Sequence, residues 1–537
     1  MSGRRPYIAL AVLAAVGCVA GAFYHYACAG RPDPIEGYKM AGRPPHIRPD
    51  YTDTVIPPNI APLNFHIEEP GAQYAVTIRS ANGAPIMVRS NDGRVRMPLR
   101  RWKRLLSANR GEPLHFDVRI RSSDGAWRRF QPITNRIARE DIDGYLVYRQ
   151  HNVMYSYYER MTLRQRRIEN FDESLLLDNA SFDDGCMNCH TFLNGGTERM
   201  ILQVRSGQRD YGSGMLLIAD GVVSKVNARP GFNPKSPAFA SWHPRGRAIA
   251  FSVNTVMQFF HPAGTEVREG IDMGSDLAVY RFDVGRVTSS PDVARPDRLE
   301  TWPAWSPDGQ HLYFCSAPLL WAGTDRVPPE GYDRARYDLM RVRCDLEAGQ
   351  WGEPEVVLAS EELGLSISQP RFSPDGRLLI FCGMQHGMFP IFDPGSDLYL
   401  LDMQTRDWSR MACNSERSES WHSWSSNGRW IAFSSKRGDG LFIKVYFSYV
   451  DAEGTAHKAF VLPQKDPDFY QSFIRIYHLP ELVREPVPVR REEIAGPIRS
   501  ARWAGPPATL TGATPRAGSQ GGTGAGPPAP EPWTLSR

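Results

Sequence analysis

Apolar and polar residues alternate in short runs along most of this chain, and the runs come back. Trp242-His-Pro-Arg-Gly-Arg-Ala-Ile-Ala-Phe251 is followed by Trp305-Ser-Pro-Asp-Gly-Gln-His-Leu-Tyr-Phe314. The same form returns as Phe372-Ser-Pro-Asp-Gly-Arg-Leu-Leu-Ile-Phe381 and Trp424-Ser-Ser-Asn-Gly-Arg-Trp-Ile-Ala-Phe433. In each, an aromatic residue enters a tight turn and an alternating strand leaves it, which is the signature of a hairpin. A second alternating run completes each unit: Asp276–Tyr280, Tyr337–Arg341, Asp397–Leu401 and Leu441–Tyr446. Met215–Ile218 suits the matching strand of a degenerate first unit. Repeats of this kind predict propeller blades over 191–484, six in number within a range of five to seven. Their spacings of 63, 67 and 52 residues leave room for long loops.

Ahead of the repeats, 59–150 carries shorter alternating runs, Tyr74–Arg79, Ile86–Arg89, Leu114–Ile120 and Tyr145–Tyr148. Asn82-Gly83, Asp92-Gly93 and Asp124-Gly125 punctuate them. This predicts an immunoglobulin-like β-sandwich. Met161, Ile168, Phe171 and Leu175 fall among charges and predict one amphipathic helix over Glu159 to Leu177. The expected class is therefore all-β: an N-terminal sandwich, then a propeller, with a short helix and a loop between them at 151–190. Residues 30–58, rich in Pro, Arg and Gly, read as a linker. Residues 485–537 read as a disordered tail, since Gly518–Pro530 offers almost nothing to bury.

The blade units resemble the Trp-Ser-Pro-Asp-Gly repeats of TolB-like propellers over roughly 236–450. The likeness is strong at Trp305–Gly309 and Phe372–Gly376 and weaker at Trp242–Gly246 and Trp424–Gly428. It implies a binding scaffold built from these residues and no particular reaction, because a fold does not fix a function.

The candidate chemistry lies at Cys186-Met187-Asn188-Cys189-His190. Two cysteines two residues apart, followed directly by histidine, form the attachment pattern of c-type haem. The sulfurs sit where they can make thioethers to two vinyl groups, and the imidazole can hold the iron. On this reading Cys186, Cys189 and His190 bind one covalent haem c, with His190 as a metal ligand. A redox pair, a disulfide and half of a zinc site are the competing readings. The opposite axial position is open to His151, Met154, Met200, His243, His386 or His422, the last at a place where blade strands start near the axis.

Composition changes the picture little. The chain carries 63 Lys and Arg against 59 Asp and Glu, but Arg79–Glu169 holds 20 against 9, a basic section suited to an acidic redox partner or lipid headgroups. Nothing resembles a nucleic-acid-binding motif, and no Gly-x-Ser-x-Gly, His-Glu-x-x-His or Walker motif occurs. Arg4 and Arg5 before an apolar run from Tyr7 to Phe23 give 1–29 the layout of an export signal or a membrane anchor. The expected location is the periplasm or the outer face of the cytoplasmic membrane. Three roles follow as expectations: electron transfer or docking of a redox partner; a haem-dependent oxidoreductase with its substrate at the propeller axis; and an exported binding or sensing propeller that uses haem as a switch.

Overall fold

The computed structural model describes residues 37–152, 160–205, 213–233, 235–261, 268–321 and 328–500. The predicted signal segment and Met154 lie outside them.

The chain is all-β, and its larger part is a propeller of six blades. Blades 2 to 6 start at the inner strands Cys186–Phe192, Ala240–Trp242, Arg298–Trp305, Ser366–Phe372 and Glu419–Trp424. Each continues outward through antiparallel neighbours. Blade 1 is assembled from both ends of this region. Tyr145–Asn152, Thr162–Arg167 and Glu173–Asp178 come from the front, and Arg475–Val483 arrives from the back as the inner strand. The six inner strands adjoin one another in a closed ring. Radial repetition of this kind leaves each blade only short, protected edges.

The turns show why the repeat reads as it does. Ser306 Oγ donates to Asp308 and accepts from the His311 amide at 3.0 Å. Ser373 with Asp375, and Ser425 with Asn427, repeat the first of these bonds at 2.6 Å. In the weakest repeat His243 Nδ1 takes over, accepting from the Arg245 amide at 3.2 Å. The turn glycine sits at positive φ, +73° at Gly309 and +75° at Gly376, where a side chain is strained. It also packs on the turn before it, since a Cβ at Gly376 would stand 3.2 Å from Pro307.

Three expectations give way. Residues 159–177 do not form one helix: Thr162–Arg167 and Glu173–Asp178 pair as a hairpin in blade 1. Its turn is built by Asn170, whose Oδ1 accepts from the Asp172 amide at 2.8 Å. The neighbouring strand Tyr145–Asn152 satisfies the backbone of Thr162–Arg167, which a lone amphipathic helix cannot match. Hence Tyr145–Tyr148 belongs to the propeller and not to the N-terminal unit. Second, 30–58 is not all linker: Tyr38–Met40, Ile47–Arg48 and Val55–Ile56 are strands, and Val55 and Ile56 are buried. Third, a helix spans Arg491–Arg499 within the expected tail, because Ile494, Ala495 and Ile498 find apolar cover. Residues 501–537 of that tail lie outside the described residues.

The N-terminal unit has a seven-stranded sheet centred on Pro113–Arg121 and a three-stranded sheet, Ile47–Arg48, Phe65–Ile67 and Arg94–Val95. A helix, Leu99–Ser107, contributes Trp102, Leu105 and Leu106 to the same core. That core runs on without a break into Trp430, Phe447 and Phe460 of blade 6.

Candidate functional site

The Cys-x-x-Cys-His motif is not on an exposed loop between domains. It opens the inner strand of blade 2, with Met187 0%, Cys189 7% and His190 1% exposed. Alternating strands on both sides leave it no freedom to form a separate loop.

Five of the six inner strands share one irregularity. Blade 4 carries a bulge between Thr301 and Ala304, blade 5 between Ser368 and Arg371, and blade 6 between Ser420 and Ser423. Blade 1 carries it opposite Val147 and Arg149, between His478 and Glu481. The first bulge residue is left-handed each time: Trp302, Gln369, Trp421 and Leu479, with φ of 51° to 56°. In blade 2 the bulge falls between Met187 and His190. Asn188-Cys189 thus stands where the other blades place Trp302-Pro303, Gln369-Pro370, Trp421-His422 and Leu479-Pro480. A bulge re-aims side chains, and here it turns them to the propeller axis.

The result is a narrow cavity of about 40 Å³ at the centre of the ring, walled by residues of all six blades. Cys189 and His190 face it from blade 2, Phe239 from blade 3, Trp302 from blade 4, Gln369 and Arg371 from blade 5, Trp421 and His422 from blade 6, and Leu479 from blade 1. Phe239 stacks on Trp302, and Trp302 meets Trp421 edge-on at 5.2 Å. The aromatic walls are braced from outside the cavity: Trp302 Nε1 donates to the Met388 carbonyl at 3.1 Å, and Phe389 meets Phe239 edge-on. Toward the Ser-Pro-Asp-Gly turns the cavity shares Pro303, Pro370 and Arg371 with a wider funnel of about 410 Å³. Arg371 is held there by Glu481 at 2.6 Å.

Burial sets the electrostatics. It pushes the Cys189 thiol up to about 11 and the Cys186 thiol upward, against the pull of Arg149 and Arg205. Neither is a ready thiolate, which argues against a redox pair of the activated kind. The two are also unbridged. Burial, aided by Arg149, pushes His190 down to about 3, so its ring is neutral. The carbonyls of Val147 and Leu479 lie near enough to favour its protonated form, yet neither ring nitrogen has a completed hydrogen bond. Arg149 stitches the motif to blade 1. It donates to Met187 O at 3.1 Å and Asn188 Oδ1 at 3.3 Å, and meets His478 Nδ1.

The other expected ligands are scattered. His422 does line the cavity; its Nε2 bonds to Ile380 O at 3.1 Å and burial holds it down to about 3. His151 lies one histidine further off, 5.8 Å from His478 ring to ring. Met200 is core between blades, His243 serves a turn, and His386 pairs with Glu269 at 2.7 Å. Among the described residues no three His, Cys, Asp or Glu side chains are grouped as one metal site needs. His478 and the bulge pairs escaped the reading of the sequence. The signal was present: Trp302-Pro303, Gln369-Pro370 and Trp421-His422 each stand two to three residues before a repeat's aromatic.

The donor set suits a c-type haem, with two unbridged thiols beside an imidazole whose nitrogens are uncommitted. The space does not. A cavity of about 40 Å³ falls far below the roughly 300–1,000 Å³ of pockets that enclose cofactor-sized ligands.

No family model matches the chain, and no curated protein matches it. Solved structures of similar outline include an oligogalacturonate lyase from Vibrio parahaemolyticus, 11% identical over 72% of this chain and 100% of that one, with a TM-score of 0.33. An ACO/RPE65 chimera is 10% identical over 80% and 98%, at 0.38. A chain of a nidogen/laminin complex is 8% identical over 64% and 99%, at 0.35. Likeness this faint identifies nothing; the propeller is read from the chain's own strand pairing.

Proposed function

We propose that this chain is an exported monohaem c-type protein in which a TolB-like propeller serves as scaffold for electron transfer or for docking a redox partner. The observation that carries the reading is His190: an imidazole 1% exposed, with no completed hydrogen bond, set directly after two free thiols. A buried polar group left unpaired costs stability and calls for an explanation. An iron ligand is one that also accounts for Cys186 and Cys189. Covalent haem is added to an exported chain before it folds, so the propeller would close around the group and not admit it. When bound, the haem would supply a one-electron couple. The chain's part is to hold it through Cys186, Cys189 and His190, to keep water from it with Trp302, Trp421 and Phe239, and to keep His190 neutral. The basic Arg79–Glu169 section suits an acidic partner protein.

The test is to export the full chain with a c-type maturation system, unfold it, and record whether the haem spectrum stays with the polypeptide. Retention in the parent and loss in a Cys186→Ala, Cys189→Ala double variant is expected. A colourless parent overturns the proposal.

A further inference from the structure

Two side chains around the axial cavity carry polar atoms without a hydrogen-bond partner: Gln369 at Nε2 and Trp421 at Nε1. Gln369 is 5% exposed, and its orientation is settled by its other end. Its Oε1 accepts from the Trp421 amide at 2.7 Å and faces Cys382 Sγ at 3.5 Å. The amide nitrogen, with two hydrogens, is therefore the free end. Trp421 Nε1 can only donate. Three N–H groups thus face the cavity from Gln369 and Trp421 with no acceptor from either side chain, and a ligand complementary to them must be rich in acceptors.

Charge and size narrow the class. Arg371 forms part of the wall, and the Arg149 and Arg371 guanidiniums both bear on His190. Among the described residues no carboxylate lines the cavity, and Glu481, at the funnel, is held by Arg371. A cation would meet N–H groups and guanidiniums. At about 10–15 Å³ for one water, a cavity of about 40 Å³ holds roughly three water-sized atoms. Phe239, Trp302 and Leu479 close the remaining wall with apolar surface, which cannot solvate a larger hydrated ion.

We infer that the axial cavity is a binding site for a small planar anion of about three heavy atoms, of the carboxylate or oxyanion class, held by Gln369 Nε2 and Trp421 Nε1 and admitted through the turn-side funnel past Arg371. The site belongs to the haem-free chain, because Cys189 and His190 line the same cavity and a haem held there would take the anion's place.

The probe is formate, titrated calorimetrically into the full chain, with sulfate and propionate as anions too large to enter. The titration uses chain produced without haem maturation, and haem retention is measured on chain produced with it, so the two readings are tested apart. Saturable binding of one formate and none of the larger anions is expected. Gln369→Glu keeps the shape of the side chain but turns its donor into a carboxylate, and should abolish binding. Trp421→Phe removes one N–H and should weaken binding at least tenfold. Circular dichroism melts confirm that each variant folds, and should the tryptophan variant fail, the glutamine variant decides. No saturable formate binding, equal binding in Gln369→Glu, or a formate-soaked crystal with only ordered water in the cavity would each overturn the site.

Discussion

Buried histidines dominate the chemistry at the scale of single residues. His151, His190 and His422 are each held down to about 3 by burial, against about 6.5 in an unfolded chain. His478 is pushed well down by the same cause. Below pH 6.5 the unfolded chain therefore binds protons that the folded one refuses, and stability falls as pH drops toward 3. At pH 5 each such histidine costs about 2 kcal/mol. His386 works in the opposite sense: Glu269 raises it, so its contribution is present below 6.5 and fades as pH climbs through its folded value. One such group does not offset several. Urea midpoints at pH 7.5 and pH 5 should show a marked loss at the lower value; equal midpoints would refute the assignment. Arg149 is the second residue to test. Arg149→Ala strips partners from Met187 O and His478 Nδ1. It should destabilise the fold by about 2–4 kcal/mol in urea unfolding.

Blade turns and bulges are the working elements. The turn glycines combine positive φ with close packing. Gly309 is the sharpest case, since a Cβ there would stand 2.5 Å from His243 Nε2. Gly309→Ala should cost about 1–3 kcal/mol, read from the shift in its thermal or urea midpoint, while alanine at the open Gly349 turn should cost less. The blades were legible in the sequence because Ser-Pro-Asp-Gly chemistry is local: a hydroxyl, a carboxylate and a glycine close the turn by themselves. The bulges were harder to read. Trp302, Gln369, Trp421 and Leu479 share a backbone conformation and no common side-chain chemistry, so nothing in their residue types marks them as equivalent. The 159–177 hairpin was missed for a related reason. Met161, Ile168 and Leu175 repeat at a helical interval, and the deciding signal was the Asn170-Phe171-Asp172 turn that interrupts them. The helix at Arg491–Arg499 had its own marks, Glu493 bonded back to the Arg490 amide at 2.7 Å and the Ile494–Ile498 pair, set within an otherwise polar tail.

The whole molecule is a ring closed by its last strand. Arg475–Val483 pairs with Tyr145–Asn152 across more than 300 residues of chain, and Arg371 reaches Glu481 on that strand. Such a closure could not be read from the repeats, because its two halves belong to no repeat. It does explain why the motif and its neighbours come together: Arg149 and His478 reach blade 2 only when the ring is shut. The full chain should unfold in one cooperative transition by circular dichroism, and a chain ended before Arg475 should lose it; a retained transition would mean that blade 1 closes without this strand. The N-terminal unit shares its core with blade 6 and should unfold in the same transition. The central claim is that Cys186, Cys189 and His190 hold one covalent haem inside this ring. The most direct measurement is the intact mass of the exported full chain under denaturing conditions. The account predicts a mass raised by one haem, and the unmodified mass in the Cys186→Ala, Cys189→Ala variant. An unmodified parent chain, exported alongside a working maturation system, would contradict it.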